Sequence, residues 1–297
     1  MDATRPDVRA PQPETEVTLP DGRKEKRRRW TVWRDPMVFD SERTYGRYLE
    51  DTYRAEDPKQ IKANARAIIQ RHRTLTEALG DVFLFWNVAK PGLMTLYGEV
   101  GLEAFSYYLH DCPELISHAL EAGTVNAIRM FEEVHMQTKA SPAAPEVYFI
   151  GEDIAYKGGC MFSPSFMRSE FYPRLSRIAD IIHETGKKLC FHSDGNLMDC
   201  LDDLVACGVD ILNPIEVAAG MDIAEIHRQH PSLKMTGGID VSTLLPFGTP
   251  EEVEQAAFRA IRDAGGQIMI GSSTEMHHGV PLENVLALYD APKKMRM

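Results

Sequence analysis

From residue 56 onward, short apolar runs alternate with longer segments in which apolar residues recur at helical spacing. Strands that are apolar throughout are buried on both faces, as they are in a parallel sheet covered by helices. The pattern therefore predicts an α/β fold built on parallel strands. The predicted strands are residues 81–88, 147–154, 188–194, 209–216, 233–240 and 267–274.

Helices are predicted between these strands, and two of them carry clear start signals. Ser163 precedes Pro164, and Thr249 precedes Pro250 and two glutamates, which are residue types that cap and open helices. The predicted helices are residues 58–79, 101–109, 113–138, 164–185, 197–207, 221–229, 250–264 and 281–289.

Six strand–helix units in one chain favour a (β/α)8 TIM-type barrel over a doubly wound sheet. No GxGxxG motif and no GxxxxGK motif follows a strand, which weakens a nucleotide-binding alternative. An eight-stranded barrel needs two more strands before residue 80, and residues 30–39 offer one candidate. We therefore expect a barrel that is incomplete at its N-terminus. Because proteins usually cover an open sheet edge, we also expect a homo-oligomer, most simply a homodimer, or a complex.

The first thirty residues differ in composition from the rest of the chain. Residues 1–15 are rich in proline and charged residues, which is typical of a loosely held segment. We predict a flexible arm over residues 1–30 and a barrel domain over residues 31–297. Within this region, the Asp21-Gly22 turn signal predicts a hairpin between residues 19–23 and residues 29–35.

Charge and cysteine content exclude several classes of function. The formal net charge of −11 argues against nucleic acid and anionic membranes as partners, since both bind basic surfaces. No run approaches the roughly 18 apolar residues of a membrane span, and the first residues lack the apolar core of a secretory signal. The five cysteines are odd in number and form no CxxC pair. We therefore expect a cytoplasmic protein without a disulfide framework.

Residues with reactive side chains follow strand after strand. In a parallel barrel the carboxyl ends of all strands meet at one face, where the active sites of barrel enzymes lie. His192 and Asp194 are two residues apart and so point the same way, whereas only one of the adjacent Glu152 and Asp153 should face the site. The candidates are Asn87, Lys90, Glu152, Asp153, Lys157, His192, Asp194, Asn213, Glu216, Asp240, Glu275, His277 and His278.

Each candidate also has a structural alternative. His192 could hydrogen-bond a backbone carbonyl group, and Asp194 could cap the helix that begins near Asn196. Asn213 and Glu216 flank a proline and could be turn residues, and the two glycines before Asp240 could simply ease packing. Lys157 precedes two glycines, which would also suit the hinge of a mobile lid.

Several motifs of this chain resemble the uroporphyrinogen decarboxylase superfamily. The segment GEDIAYKGGCMFSPSFMRSEFYPRLSRIADIIHETGKKLCFHSDGN carries the likeness, and GVDILNPIEVAAGMDIAEI, GGIDVSTL, GTPEEVEQ and GVPLENVLAL follow in the expected order. Together the motifs cover roughly residues 80–290. The resemblance implies a (β/α) barrel. It also implies either the decarboxylase of haem synthesis or a methyltransferase that exchanges methyl groups with a corrinoid or coenzyme M.

The decarboxylase branch is the less similar of the two. Its arginine-bearing RQAGRYLPE motif resembles RTYGRYLED at residues 43–51, but that stretch lies too close to the strand at residues 81–88. We interpret residues 43–54 as an amphipathic helix with solvated Arg43 and Arg47. A histidine near the end of the family motif set corresponds to His278. A porphyrinogen decarboxylase remains the alternative function, and a non-catalytic barrel that binds a corrinoid protein or a small ligand is a third class.

The methyltransferase branch often binds zinc through a His-x-Cys pair and a later cysteine. Here the corresponding pair is His192-x-Asp194, the later position holds His277-His278, and Glu152 or Asp153 could complete the set. Such ligands suit a divalent metal, for which we expect zinc, that polarises an ether or hydroxyl oxygen, or else a metal-free general acid. The resemblance thus predicts transfer of a methyl group from a small methoxylated or methylated donor to a corrinoid, held free or on a partner protein.

These considerations give one set of site predictions. The predicted catalytic residues, which are also the tentative metal ligands, are Glu152, His192, Asp194 and His278. The predicted substrate-binding residues are Asn87, Asp153, Lys157, Asn213, Glu216 and Asp240.

Overall fold

The computed structural model describes residues 14–28, 32–141, 144–277 and 279–295. The strands are β1 (Thr15–Thr18), β2 (Lys24–Arg27), β3 (Val32–Arg34), β4 (Trp86–Asn87), β5 (Val147–Gly151), β6 (Ala155–Tyr156), β7 (Gly159–Cys160), β8 (Lys188–His192), β9 (Ile211–Ile215), β10 (Lys234–Ile239) and β11 (Ile268–Ser272). The helices are α1 (Glu42–Thr52), α2 (Pro58–Leu79), α3 (Leu93–Val100), α4 (Leu102–Asp111), α5 (Pro113–Thr138), α6 (Pro164–Phe166), α7 (Tyr172–Glu184), α8 (Leu201–Ala206), α9 (Ile223–Gln229), α10 (Leu244–Phe247), α11 (Pro250–Asp263) and α12 (Leu282–Lys294).

A six-stranded sheet with the order β11-β10-β9-β8-β5-β4 forms the centre of the fold. All neighbouring strands in it are parallel, and helices connect them. This confirms the predicted α/β fold and all six predicted strands. Within the described residues, β4 and β11 each have one neighbouring strand, so hydrogen bonding does not close the sheet into a ring. The described residues before residue 80 therefore add no strand to this sheet, as the sequence indicates.

Helix positions follow the apolar periodicity and the capping residues. The bounds of α2 and α5 coincide with the predicted ones. The Ser163 hydroxyl caps α6, which continues through a π-helical segment (Met167–Phe171) into α7. Thr249 forms a capping box at the start of α11, as predicted. α1 is amphipathic, with Tyr45 and Leu49 buried and Arg43 and Arg47 exposed, which confirms its interpretation as a solvated helix.

The core lies mainly between the sheet and its helices. A smaller apolar cluster on the opposite face of the sheet comprises Val147, Cys190 and Ile211, with Phe85 and Phe149 packed against them. Strand register places Gly151, His192 and Asn213 at one level, because Gly151 pairs with His192 and His192 pairs with Asn213. This second face is therefore apolar within the strands and polar at their carboxyl ends. Among the described residues, no helix is both long and apolar enough to cross a membrane.

The N-terminal region differs from its prediction in two respects. The Asp21-Gly22 turn closes a hairpin between β1 and β2, and residues 32–34 pair with β2 (Lys24–Arg27) and not with residues 19–23 as expected. Strand structure also begins at Thr15, earlier than the predicted domain boundary at residue 30. Residues 1–13, the main part of the predicted arm, lie outside the described residues.

Candidate active site

Three side chains that follow two neighbouring strands converge at the carboxyl edge of the sheet. The ligand atoms of Asp153, His192 and Asp194 all lie within 4.8 Å of one another. His192 Nε2 is 3.7 Å from Asp153 Oδ1, which also accepts a 3.0 Å hydrogen bond from the Asp194 backbone N–H. β5 and β8 are adjacent and parallel, so the residues just beyond their ends share one edge. We call these three residues the Asp–His–Asp cluster.

Asn213 fixes the orientation of the His192 ring. The Asn213 amide nitrogen donates to the Thr236 hydroxyl, so its amide oxygen faces the imidazole and lies 2.7 Å from His192 Nδ1. This oxygen can only accept, and therefore Nδ1 carries the hydrogen in the neutral ring. Nε2 then carries the lone pair and lies 3.7 Å from Asp153 Oδ1, so this nitrogen can ligate a metal while Nδ1 donates to Asn213.

Asp194 is the member of the cluster whose charged form is destabilised by burial and by neighbouring carboxylates. Burial raises its pKa above the usual range, the His192 imidazole opposes the rise, and the carboxylates of Asp153, Glu216 and Glu275 add to it. Its Oδ1 atom is buried and has no hydrogen-bond partner among the described residues, whereas Oδ2 lies 3.3 Å from the Thr274 hydroxyl. A buried acceptor without a partner is unfavourable, so this oxygen suits a cation or a proton donor from a ligand.

Hydrogen bonds of its own backbone, of the Ser193 hydroxyl and of the Glu216 carboxylate fix the loop after β8. Gly195 has a φ of +95°, and its N–H donates to Glu216 Oε2 at 2.7 Å. The buried Ser193 hydroxyl accepts from the Ile154 N–H at 3.0 Å and donates to the Asp194 carbonyl oxygen at 2.8 Å. These bonds tie the segment that carries Asp194 to the segment that carries Asp153.

A cavity of about 410 Å³ opens beside the cluster, on the face of the sheet opposite the main core. His192 and Asn213 form one wall, and Asp153 and Asp194 lie beyond this wall. No arginine or lysine is among the described residues that line the cavity. Its lining is Phe85, Phe149, His192, Asn213, Pro214, Thr236, Gly237, Met269, Ile270, Gly271, Ser272, Thr274, Glu275 and Tyr289.

Glu152, which was predicted as a catalytic residue and metal ligand, does not join the cluster. Its side chain is fully buried, and its carboxylate accepts from the Gly92 N–H at 2.5 Å and the Met94 N–H at 2.6 Å, at the start of α3. Successive residues of an extended chain point to opposite sides, so when Asp153 faces the cluster, Glu152 faces the helix. Burial raises the pKa of Glu152, although the Lys90 charge and the backbone N–H groups oppose the rise.

We predict that Glu152→Ala lowers the free energy of unfolding by about 2–4 kcal/mol. The substitution leaves the N–H groups of Gly92 and Met94 without their acceptor in a buried place. Urea denaturation measures the change. Glu283→Ala, in the exposed first turn of α12, is the control and should change stability by less than about 0.5 kcal/mol. Equal stability of wild type and Glu152→Ala would show that these bonds contribute nothing.

Some of the other predicted site residues lie near the cluster, and the rest lie elsewhere on the protein or outside the described residues. Asn213 lines the cavity, and Glu216 binds the Gly195 N–H. Asp240 instead accepts hydrogen bonds from the N–H groups at the start of α10, including that of Thr243 at 3.0 Å, because it caps that helix. Lys157 is exposed in the turn between β6 and β7, and Asn87 is exposed at the end of β4. These three residues, which were predicted to bind substrate, do not line this cavity. His278 lies outside the described residues.

The charge of Glu216 gives a pH-dependent prediction for metal-free protein. Glu216 raises the pKa of Asp194, so Glu216→Gln should lower that pKa towards the ordinary aspartate value while the amide oxygen still accepts from Gly195. A carboxyl NMR titration measures the shift. Asp202→Asn, at a side chain 91% exposed, is the control and should leave the Asp194 titration unchanged. A pKa of Asp194 that stays constant or rises in Glu216→Gln would contradict this electrostatic description.

Three hydroxyl residues of the site escaped the sequence analysis. Thr274 follows β11 and contacts Asp194, Thr236 orients Asn213 from within β10, and Ser193 links the two loops. Thr274 could have been found, because it obeys the same rule of polar residues after strand ends. Ser193 directly follows β8 and obeys the same rule, whereas Thr236 lies inside a strand beside Met235 and carries no charge, so nothing in the sequence distinguishes it.

A histidine–carboxylate cluster at the carboxyl ends of parallel, helix-connected strands is typical of barrel enzymes. The chain belongs to the uroporphyrinogen decarboxylase family, since the family model described as Uroporphyrinogen decarboxylase (URO-D) matches residues 101–295. This confirms the resemblance found in the sequence. A search of curated proteins gave no match.

One similar solved structure is a methyltransferase from Methanosarcina mazei. It matches with a TM-score of 0.62 and 21% sequence identity, and the match covers 77% of this chain and 64% of that chain. At this identity the likeness shows a shared fold. The present chain therefore corresponds to less than two thirds of the length of that methyltransferase.

Proposed function

We propose that this protein is a methyltransferase that moves a methyl group from a small methoxylated or methylated donor to a corrinoid cofactor. The Asp–His–Asp cluster is the observation that carries the proposal, because it brings one imidazole and two carboxylates to a single point beside a cavity. Membership of the family and the shared fold with a methyltransferase support the same reaction class.

The cluster fits a divalent metal, for which we propose zinc. Imidazole nitrogen and carboxylate oxygen are both common zinc ligands, and Asp153, His192 and Asp194 offer one ligand atom each. Asp194 Oδ1 is buried without a partner, and four carboxylates in this region repel one another, so a cation would relieve an existing electrostatic cost. A metal held there would supply Lewis-acid polarisation of the donor oxygen or nitrogen.

The protein's own residues would bind the donor and manage the proton. The cavity volume of about 410 Å³ falls within the range of small-molecule sites, roughly 300–1,000 Å³. Phe85, Phe149 and Tyr289 give it an aromatic lining that suits an aromatic or alkyl group and excludes water. Burial raises the pKa of Asp194, so in metal-free protein this carboxyl group binds a proton more readily than an ordinary aspartate does.

The corrinoid, free or on a partner protein, would supply the nucleophilic cobalt that accepts the methyl group. The porphyrinogen decarboxylase alternative is less well supported, because its substrate carries several carboxylates and the described lining of this cavity offers no arginine or lysine to neutralise them. Porphyrinogen turnover serves as the assay for that alternative.

A homo-oligomer remains part of the proposal. Leu282, Leu286 and Tyr289 are exposed on one side of α12, and Met269 is 53% exposed on the edge strand β11. An apolar surface beside an open strand edge suits a second copy of the chain. Sedimentation equilibrium that gave the mass of one chain would contradict this part.

Methylation of cobalt tests the proposed function directly. Purified protein is mixed with reduced corrinoid, zinc and a panel of methoxylated aromatics, methanol and methylated amines, and the absorbance of the cobalt centre is followed. We expect methyl–cobalt formation with at least one donor, lost in Asp194→Asn and retained in the exposed control Asp202→Asn. Failure with every donor, or equal rates in Asp194→Asn and wild type, would contradict the proposal.

A further inference from the structure

Cys160 and Cys200 lie close together beside the β6–β7 hairpin, away from the Asp–His–Asp cluster. Cys160 ends β7 and is partly exposed, whereas Cys200 lies in the short helical turn Met198–Cys200 and is 4% exposed. β7 packs directly on this turn. Both cysteines line a separate cavity of about 270 Å³, which also includes Arg168 and Tyr172.

The hydrogen bonds between these side chains give the two sulfur atoms different properties. A polar contact with the Cys200 thiol, and further contacts with the backbone N–H groups of Phe162 and Met161, stabilise the Cys160 thiolate. These bonds, with the one from Cys200 foremost, lower the pKa of Cys160 to about 7. The same contact, together with burial, raises the pKa of Cys200. Cys160 is therefore partly exposed and partly ionised at neutral pH, and a protonated thiol lies beside it.

The other cysteines of the chain lack this environment. Cys112, Cys190 and Cys207 are buried. Burial raises the pKa of Cys112 to about 11 and that of Cys207 to about 12, and it also raises that of Cys190. Thiols of this kind react slowly with oxidants and electrophiles. The reactive character is thus confined to the Cys160–Cys200 pair.

We propose that Cys160 and Cys200 form a reversible oxidation site that reacts with hydroperoxides, with Cys160 as the attacking sulfur and Cys200 as the resolving one. The Cys160 thiolate attacks one oxygen of the hydroperoxide, the O–O bond breaks, and the other oxygen leaves as alcohol or water after taking a proton. The Cys200 sulfur then attacks the resulting sulfenic acid, an S–S bond replaces the S–O bond, and the released hydroxide leaves as water with the Cys200 proton. One hydroperoxide is reduced and two thiols become one disulfide.

The position of the hairpin connects this oxidation site to the loop that carries Asp194. The Asn196 N–H donates to the Tyr156 carbonyl oxygen at 3.0 Å. Gly195 lies so close to the hairpin that a Cβ atom there would be 2.6 Å from the Ala155 carbonyl carbon. A disulfide that changes the position of Cys160 would therefore alter the environment of Gly195 and Asn196. We expect oxidation to shift their amide NMR signals.

Treatment of the full-length protein with one equivalent of hydrogen peroxide tests the proposal. Peptide mass spectrometry should find a Cys160–Cys200 disulfide that dithiothreitol reverses. Cys200→Ser should instead give a Cys160 sulfenic acid that dimedone traps, and Cys112→Ser, the matched control, should still form the disulfide. Wild-type protein in which Cys160 stays reduced, or is oxidised without a link to Cys200, would overturn the proposal.

The pH dependence of alkylation gives a second, independent test. Iodoacetamide should modify Cys160 with a midpoint near pH 7 and about 100-fold faster than Cys112 at that pH, given their pKa values of about 7 and about 11. An equal or slower rate at Cys160 would overturn its role as the attacking sulfur. Both readouts concern the cysteines alone, so they stand whether or not the protein transfers methyl groups.

Discussion

Replacement of His192 by alanine is expected to lower the rate of methyl transfer by about 10²–10⁴-fold. The imidazole supplies the single nitrogen ligand of the Asp–His–Asp cluster and lies on the cavity wall, between the donor site and the two carboxylates. Its loss removes one of the three proposed metal ligands and also removes the imidazole that opposes the rise in the pKa of Asp194. Stopped-flow absorbance of the corrinoid measures the rate.

A second histidine provides a matched control for this prediction. His230 pairs with the exposed Asp202 at 2.9 Å, on the loop after α9 and away from the described cavity lining. His230→Ala should therefore retain the wild-type rate. If His192→Ala transfers methyl groups as fast as His230→Ala does, the imidazole of the cluster has no part in the reaction.

Gly195→Ala is expected to lower the free energy of unfolding by about 3–5 kcal/mol and to disable the site. The residue has a φ of +95°, which disfavours any side chain. A Cβ atom would also lie 2.6 Å from the Tyr156 backbone nitrogen and 2.8 Å from the Tyr156 carbonyl carbon, which are backbone atoms that cannot simply rotate away. The loop after β8 would have to move, and the Gly195 bond to Glu216 would move with it.

Gly186→Ala separates backbone strain from steric collision. Gly186 also has a positive φ, +72°, but a Cβ atom there meets nothing within 4 Å. We expect it to cost only about 1–2 kcal/mol in urea denaturation, with the site intact. An equal loss of stability in the two variants would show that the contact between Gly195 and the hairpin is not tight.

Sequence periodicity predicts the helices better than the strands of this fold. α2 and α5 are long, each begins with a proline at its first position, and Asp57 caps α2, so their bounds follow from the sequence. β4 covers only Trp86–Asn87 of the predicted residues 81–88. The reason is tertiary, because β4 pairs with β5 alone in the described chain, and Phe83 is 59% exposed at this edge. A strand with one neighbour has fewer hydrogen bonds to extend it, and sequence does not reveal how many neighbours a strand has.

The sequence predicts which residues lie at the carboxyl edge of the sheet, because this depends only on chain direction. It does not predict which side chains face the cluster, because this depends on the register of the strands. Polar residues after strand ends correctly indicate that His192, Asp194 and Asp153 share one edge. Alternation shows that only one of Glu152 and Asp153 faces the cluster, but it cannot tell which one without the strand register. Asp240 was placed in the site because it ends a predicted strand, yet its carboxylate accepts hydrogen bonds from the backbone N–H groups of Ser242 and Thr243, just before α10. Capping and catalysis use the same residue types in the same places.

Zinc titration of the purified protein by isothermal calorimetry tests the central claim most directly, namely that Asp153, His192 and Asp194 form one metal-holding centre. The titration uses metal-free protein at pH 7.5, with elemental analysis of the dialysed sample as a check on stoichiometry. We predict one zinc ion per chain in wild type and in His230→Ala, and none retained in His192→Ala or Asp194→Asn. Wild-type protein that binds no zinc, or variants that bind it as tightly as wild type, would contradict the account.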